Sequence, residues 1–250
     1  MSKPMSVFKN SYLLEVGCGD VYSAIAAYRA GARRIELFAN MPEGGTTPSA
    51  GTLHTVLDRM NIPVMVMIRP RGGDFIYNDD EFQAMCRDVE IAREMGAAGI
   101  VIGCLTPEGD IDVEKCTRLI ELAGPLEVTF HRAFDLTPDL FASLEVLIGL
   151  GIRRVLTTGG KTTAMEGKEI IRRLRQLAGT RITIMPGGGV RALNLQTLAM
   201  DTECTEFHMA PVKKRNTALL SQPNYSEAFR TTTLIDSEEI SKAIHTLQNL

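Results

Sequence analysis

The chain has 250 residues, 44% of them apolar and 23% charged, which is the balance of an ordinary globular protein. With 27 basic and 30 acidic residues the formal net charge is −3, which excludes a broad nucleic-acid surface but allows a local basic pocket. Five scattered cysteines with no C-x-x-C pair read as reduced thiols of a cytoplasmic protein, the start MSKPMSVFKN lacks a signal-peptide core, and no apolar run reaches bilayer length.

The first strand is expected at YLLEVG (12–17). Asp20 then opens a helix with Val21, Ile25 and Tyr28 on one face. A motif follows that recurs along the chain: the end of a helix, a glycine, then a short β-rich run. It appears as AGARRIELF (30–38), GAAGIVIG (96–103), AGPLEVTF (123–130), GIRRVLTT (151–158) and AGTRITIM (178–185). A helix that stops and reverses into a strand commonly needs a left-handed residue, and glycine takes that conformation without a Cβ clash. IPVMVMIRP (62–70) and TEFHMA (205–210) complete eight strands. Helical stripes fill the gaps: Phe82, Met85, Val89 and Met95; Val113, Cys116, Leu119 and Ile120; Phe141, Leu144 and Ile148; Ile170, Ile171, Leu174 and Leu177. A long irregular stretch, 211–236, precedes a last helix with Ile240, Ile244 and Leu247, opened by Asp236 and Glu239 as a capping box. A stretch of that length reads as a lid, a partner surface or disorder.

Eight strands alternating with eight helices predict a single (β/α)₈ TIM-barrel domain over 1–250, with its core at about 11–210. A doubly wound sheet is the alternative, but VGCGD after the first strand is not a G-x-G-x-x-G fingerprint.

In a barrel the C-terminal strand ends carry the chemistry. Alternation turns Glu15, Glu36, Arg69, His131 and His208 inward, as a ring of opposite charges. Such a ring is either a ligand site or a mutual ion-pair plug. His131 is the general acid/base candidate on its near-neutral pKa, with Glu15 or Glu36 as partner carboxylate and Asp135 nearby. Arg69 and Arg71 of RPRGGD read as an anion clamp, or as partners of Glu15, Glu36 or Asp74. Arg132, Thr158 and His208 join the anion-binding candidates. So do Gly187, Gly188 and Gly189, which precede a helix where phosphate often sits in this fold; simple turn geometry explains them equally well. For a metal, Cys18 lies just past the first strand and Cys104 just past the fourth. Cu(I) would want two or three sulfurs, to which Met65 and Met67 add thioethers if they are not packing. His54 and His245 read as helix-surface residues.

The blocks IELFANMPEGGTTPSAG, MIRPRGGDF, VTFHRAFD, RVLTTGG and IMPGGG, in this order, resemble the signature blocks of the CutC family of copper homeostasis proteins. The resemblance implies a cytoplasmic TIM barrel that self-associates, a link to copper homeostasis and Cu(I) binding, and no settled reaction. Members commonly carry cysteines, the usual Cu(I) candidates, where this chain has Gly17 and Phe38, with Cys18 one residue along. The residues that remain fit an enzyme or binder of a small phosphorylated or carboxylated metabolite. The rivals are a Cu(I) carrier using Cys18 and Cys104, and an interaction protein using the 211–236 stretch.

Overall fold

The computed structural model describes residues 12–216 and 231–250; the chain start and residues 217–230 of the long stretch lie outside the described residues. Eight parallel strands are β1 (Leu13–Cys18), β2 (Arg34–Leu37), β3 (Val64–Met67), β4 (Gly99–Ile102), β5 (Glu127–Phe130), β6 (Arg154–Thr157), β7 (Thr183–Pro186) and β8 (Glu206–Met209). They pair in the order β7-β6-β5-β4-β3-β2-β1-β8, with β7 packed beside β8, so the sheet nearly closes. Sequential order without a reversal point is that of a TIM barrel and excludes the doubly wound alternative. The helices are α1 (Val21–Arg29), α2 (Ala50–Leu57), α3 (Asp79–Glu94), α4 (Val113–Ala123), α5 (Leu140–Gly149), α6 (Lys168–Ala178), α7 (Ala192–Thr202) and α8 (Ser237–Gln248). No helix among the described residues is long and apolar enough to cross a membrane.

The five recurrent glycines act as expected: Gly31, Gly96, Gly124, Gly151 and Gly179 all have positive φ where a helix turns back toward a strand. The helix stripes hold less evenly. In α1, capped by Asp20 as expected, the buried face is Ser23, Ala24 and Ala27, while Ile25 and Tyr28 sit at its edges. Small residues let the helix approach the barrel closely. In α4 and α6 the buried faces shift toward Ala123 and Ala178, leaving Val113 and Leu177 exposed. Asp236 caps α8, but the expected capping box is not closed. The Glu239 carboxylate accepts instead from the Ala192 amide at 2.8 Å, so α8 caps the neighbouring α7.

The 211–236 stretch is not wholly irregular. β9 (Val212–Asn216) and β10 (Thr231–Ile235) form an antiparallel ribbon, with Val212 opposite Ile235. The β-branched run Thr231 to Thr233 suits a pleated strand, a signal outweighed by the surrounding turn residues.

Alternation sorts the interior into two cores. Outward residues such as Val16, Ile35, Val66, Ile100, Phe130 and Phe207 join Met85, Leu119, Leu144 and Leu174 of the helices in one apolar layer. Each such leucine is worth about 1.5–3 kcal/mol when fully buried. Inward Met65, Met67 and Val101 form a second, small cluster with Phe38. The lower inward positions are charged. Arg34 donates from Nε to Glu15 Oε2 and from Nη2 to Glu206 Oε2, each at 2.5 Å, and its Nη2 also meets Met185 Sδ at 3.3 Å. Arg154 reaches Glu206 at 3.0 Å and Glu127 at 2.8 Å. Each guanidinium is thereby paired on two sides, which offsets the cost of burying it.

Arg34→Ala leaves the Glu15 charge buried and unpaired. The expected loss is about 3–5 kcal/mol of unfolding free energy in urea denaturation. The double variant Arg34→Met/Glu15→Gln recovers much of it, because it removes both charges; equal losses in the two proteins would show that packing, not charge, is at stake.

Candidate functional site

Above the Arg34 layer the barrel opens into a cavity of about 460 Å³ lined by Glu36, Phe38, Arg69, Phe75, His131, Arg132, Gly188, Gly189, Arg191 and His208, among others. A larger depression of about 790 Å³ lies between α1 and α8 on the outer surface. It has no buried polar atom lacking a partner among the described residues, so the mouth is the better candidate for chemistry.

Four members of the expected ring, Glu36, Arg69, His131 and His208, line the mouth cavity. Glu15 lies one layer deeper, paired in register with Arg34 and His208. The ion-pair plug is present at the deeper level, where Arg34 and Arg154 meet Glu15 and Glu206, and a polar cavity opens above it. Glu36 Oε2 and His208 Nε2 are 2.7 Å apart and buried. Burial favours the neutral His208 ring, but the Glu36 carboxylate outweighs it and raises the pKa.

His131 leaves β5 and enters a 3₁₀ turn (Arg132–Leu136), where its Nδ1 accepts from the Ala133 amide at 3.1 Å. That contact puts the proton of the neutral ring on Nε2, and Nε2 is buried without a partner among the described residues. The ring packs on Phe75, centroids 4.7 Å apart. Burial, then the Arg69 charge, lowers the His131 pKa to about 3. The near-neutral pKa expected of it does not survive burial. His131 is a neutral hydrogen-bond donor at physiological pH rather than a titrating acid/base.

The two arginines of the expected anion clamp are separated, Arg69 lining the cavity and Arg71 not. Arg69 donates to the carbonyls of Glu43, Gly45 and Gly73 at 2.7–2.8 Å and stacks on Phe75, leaving only its Nε without a partner. Arg71 turns to the start of α3, to Glu81 at 2.6 Å and Asp74 at 3.0 Å, and does not line the cavity. Asp135 is likewise committed: its carboxylate accepts from Thr157 Oγ1, the Thr158 amide and hydroxyl, the Gly160 amide and Arg132 Nε. A carboxylate with that many donors is a loop anchor. The single Thr158 hydroxyl proton is shared between Asp135 Oδ2 at 2.9 Å and the Lys161 carbonyl at 2.6 Å.

Gly187 is packed against Leu156 and His208, where a Cβ would lie 2.3 Å from Leu156 Cδ1. Gly188 and Gly189, both with positive φ, bring bare backbone to the cavity wall; a Cβ on Gly188 would lie 3.6 Å from Arg132 Nη1. Arg132 and Gly188 thus share one corner of the mouth. Arg191, just before α7, lines the cavity and has no carboxylate partner among the described residues. The sequence reading missed it, although an arginine two residues after a glycine run was a legible signal. It also missed Phe75.

The thiols lie elsewhere. Cys18 is fully buried in the helix-facing layer, its Sγ against the Val16 carbonyl at 3.5 Å; burial, then Asp20 and Glu36, raise its pKa well above the ordinary range. Cys104 sits in the same layer, where contact with Cys116, then burial, raises its pKa. Neither lines the mouth; Met65 is packed in the barrel interior, while Met67, beside Phe38, lines the mouth cavity. His54 is exposed beside Asp58, and His245 exposed beside Asn249.

A model of the CutC family matches residues 12–213. The chain belongs to the CutC family. It is 48% identical over 210 residues to the human copper homeostasis protein cutC homolog, an alignment covering 84% of this chain and 77% of that protein. It is 49% identical over 196 residues to the family protein CutC of Chromobacterium violaceum, covering 78% and 79%. Its fold matches the crystal structure of the putative copper homeostasis protein CutC from Streptococcus agalactiae with TM-score 0.76 and 36% identity, over 79% of this chain and 98% of that one.

The residues present do not fit a thiolate copper centre. A Cu(I) thiolate needs an accessible, deprotonated sulfur, whereas Cys18 and Cys104 are buried with raised pKa values. The two positions at which the resemblance implies cysteines are moreover coupled: a Cβ on Gly17 would lie 3.0 Å from Phe38 Cε1 and 3.1 Å from His208 Nε2. Phe38 fills space that a side chain at position 17 would need.

Cys18→Ser and Cys104→Ser are therefore expected to leave Cu(I) affinity unchanged in competition against a chelator; loss of tight binding in either would show that a core thiol becomes accessible. His131 gives a separate test. Its folded pKa lies below its unfolded value, so it contributes stability above about pH 6.5 that is lost as pH falls toward 3. His131→Gln should reduce the pH slope of unfolding free energy between pH 6 and 4 by about 1.4 kcal/mol per unit.

Proposed function

We propose that the chain is an enzyme or binder of a small anionic metabolite, phosphorylated or carboxylated, held in the barrel mouth. One observation carries the reading. His131 Nε2 and Glu36 Oε1 are both buried without a partner among the described residues, and both residues line a single cavity that also holds Arg132 and Arg191. Buried polar atoms in folded proteins are nearly always satisfied, so unpaired ones converging on a cavity mark places for ligand atoms.

In this reading Arg132, Arg191 and the backbone at Gly188 and Gly189 hold the anionic group, by charge and by close approach. Neutral His131 donates Nε2–H to a carbonyl or hydroxyl oxygen of the same ligand, drawing electron density from the attached carbon. Glu36 with His208 forms the polar floor. Arg69 and Asp135 hold the surrounding loops rather than the ligand. The copper homeostasis role in the relatives' names enters this proposal as a family role, not through Cys18 or Cys104. The five free thiols support placing the function in a reducing compartment, the cytoplasm, and the family resemblance supports self-association.

A thermal-shift series with inorganic phosphate, 2-phosphoglycolate and chloride at matched ionic strength tests the reading. A ligand at 100 times its Kd adds about 2.7 kcal/mol to stability. The phosphorylated probes are expected to raise Tm, and Arg191→Ala to remove most of the gain without lowering Tm in chloride. No anion-dependent shift in the wild-type chain would rule out an anion site of this kind.

A further inference from the structure

We infer that Glu15, Glu36 and His208 form a site for one divalent first-row transition cation at the floor of the mouth cavity. A carboxylate oxygen from each glutamate and a ring nitrogen of His208 lie within 4.8 Å of one another. Ligands bonded to one ion at about 2.0–2.2 Å sit roughly 3–4 Å apart, so modest side-chain adjustment closes the set.

Proximity alone would not make a site. The second observation is that Glu15 Oε1 and Glu36 Oε1 are both buried and lack any hydrogen-bond partner among the described residues, in side chains whose residues are only 0% and 3% exposed. The other oxygen of each carboxylate is held, Glu15 Oε2 by Arg34 and Glu36 Oε2 by His208. The Arg34 contact is the kind of outer partner that orients a metal ligand.

Charge is uneven around the three residues: Arg34 stands against both Glu15 and Glu206, whereas no guanidinium pairs with Glu36 among the described residues, its ion-pair partner being His208.

Two carboxylate oxygens and one imidazole suit Mn²⁺, Fe²⁺ or Zn²⁺; Ca²⁺ wants more oxygens and Cu(I) wants sulfur. The three ligands come from adjacent strands, β8, β1 and β2, which hold them rigidly. Gly17 keeps the hollow between them clear, since a Cβ there would lie 3.1 Å from His208 Nε2. Glu36 and His208 also line the cavity, so an ion there has positions open toward the mouth. Only the assignment of those positions to the anionic ligand rests on the function proposed above.

The test uses the full chain, freed of metal by chelation, with Mn²⁺ alone and no added anion. One Mn²⁺ should bind per chain, followed by electron paramagnetic resonance of free and bound ion. Pulsed measurements should show coupling to one imidazole nitrogen. Glu36→Gln and Glu15→Gln, near-isosteric changes, should each weaken binding by more than the about 10–100-fold typical of losing an outer partner. His208→Gln should abolish the nitrogen coupling, whereas Cys18→Ser should change nothing. Circular dichroism melts check that each variant is folded. No Mn²⁺ or Zn²⁺ bound to the wild-type chain, or bound Mn²⁺ with no nitrogen coupling, overturns the inference whatever the variants do. Retained ion binding with no phosphate response would refute the anion reading and leave the cation site standing.

Discussion

Arg34, clamped between Glu15 and Glu206 inside the barrel, is the interaction on which the rest of the interior depends. It ties β2 to β1 and β8, while Arg154 on β6 ties β8 to β5 through Glu206 and Glu127. Buried charge costs several kcal/mol per ion unless paired, so the strands are held at the register that brings these groups together. A slip of one residue would turn them into the apolar helix-facing layer. The plug also sets the depth of the mouth. Glu36 lies two residues beyond Arg34, and His208 two beyond Glu206, so the functional floor is placed by the same alternation that builds the plug.

Much of the charge around the mouth is scaffold. Arg69 gathers the Glu43, Gly45 and Gly73 carbonyls, fixing two loops with one guanidinium. Asp135 gathers amides and hydroxyls from the end of β6. These residues have the chemistry expected of ligand-binding groups, but most of their hydrogen bonds are already used, Arg69 keeping only its Nε unpaired among the described residues. His131 and Glu36 likewise each keep an unused polar atom in a buried place.

The pair Gly17 and Phe38 separates this chain from the cysteine-bearing pattern that the CutC resemblance implies. Phe38 packs with Met67 inside the barrel and over Gly17. The two positions form one packing unit, so the change at either constrains the other. Position 17 is filled by the ring and not by sulfur, while the carboxylates and imidazoles around it remain.

Periodicity and glycine placement were enough to read the barrel, because strands alternate with period two and helices close on left-handed glycines at Gly31, Gly96, Gly124, Gly151 and Gly179. Alternation likewise told which strand residues point inward, including Glu36, His131 and His208. Partnership was not legible. Nothing local reveals that Arg69 would be engaged by three carbonyls, that Arg71 would turn to Glu81, or that Glu239 would cap α7 instead of its own helix. The same holds for His131, whose pKa follows from burial and from Arg69 rather than from its own chemistry. Secondary structure and facing are set by neighbours in sequence; hydrogen-bond satisfaction, burial and the unpaired atoms that mark a site depend on residues far apart along the chain, which only the tertiary structure brings within a few ångströms.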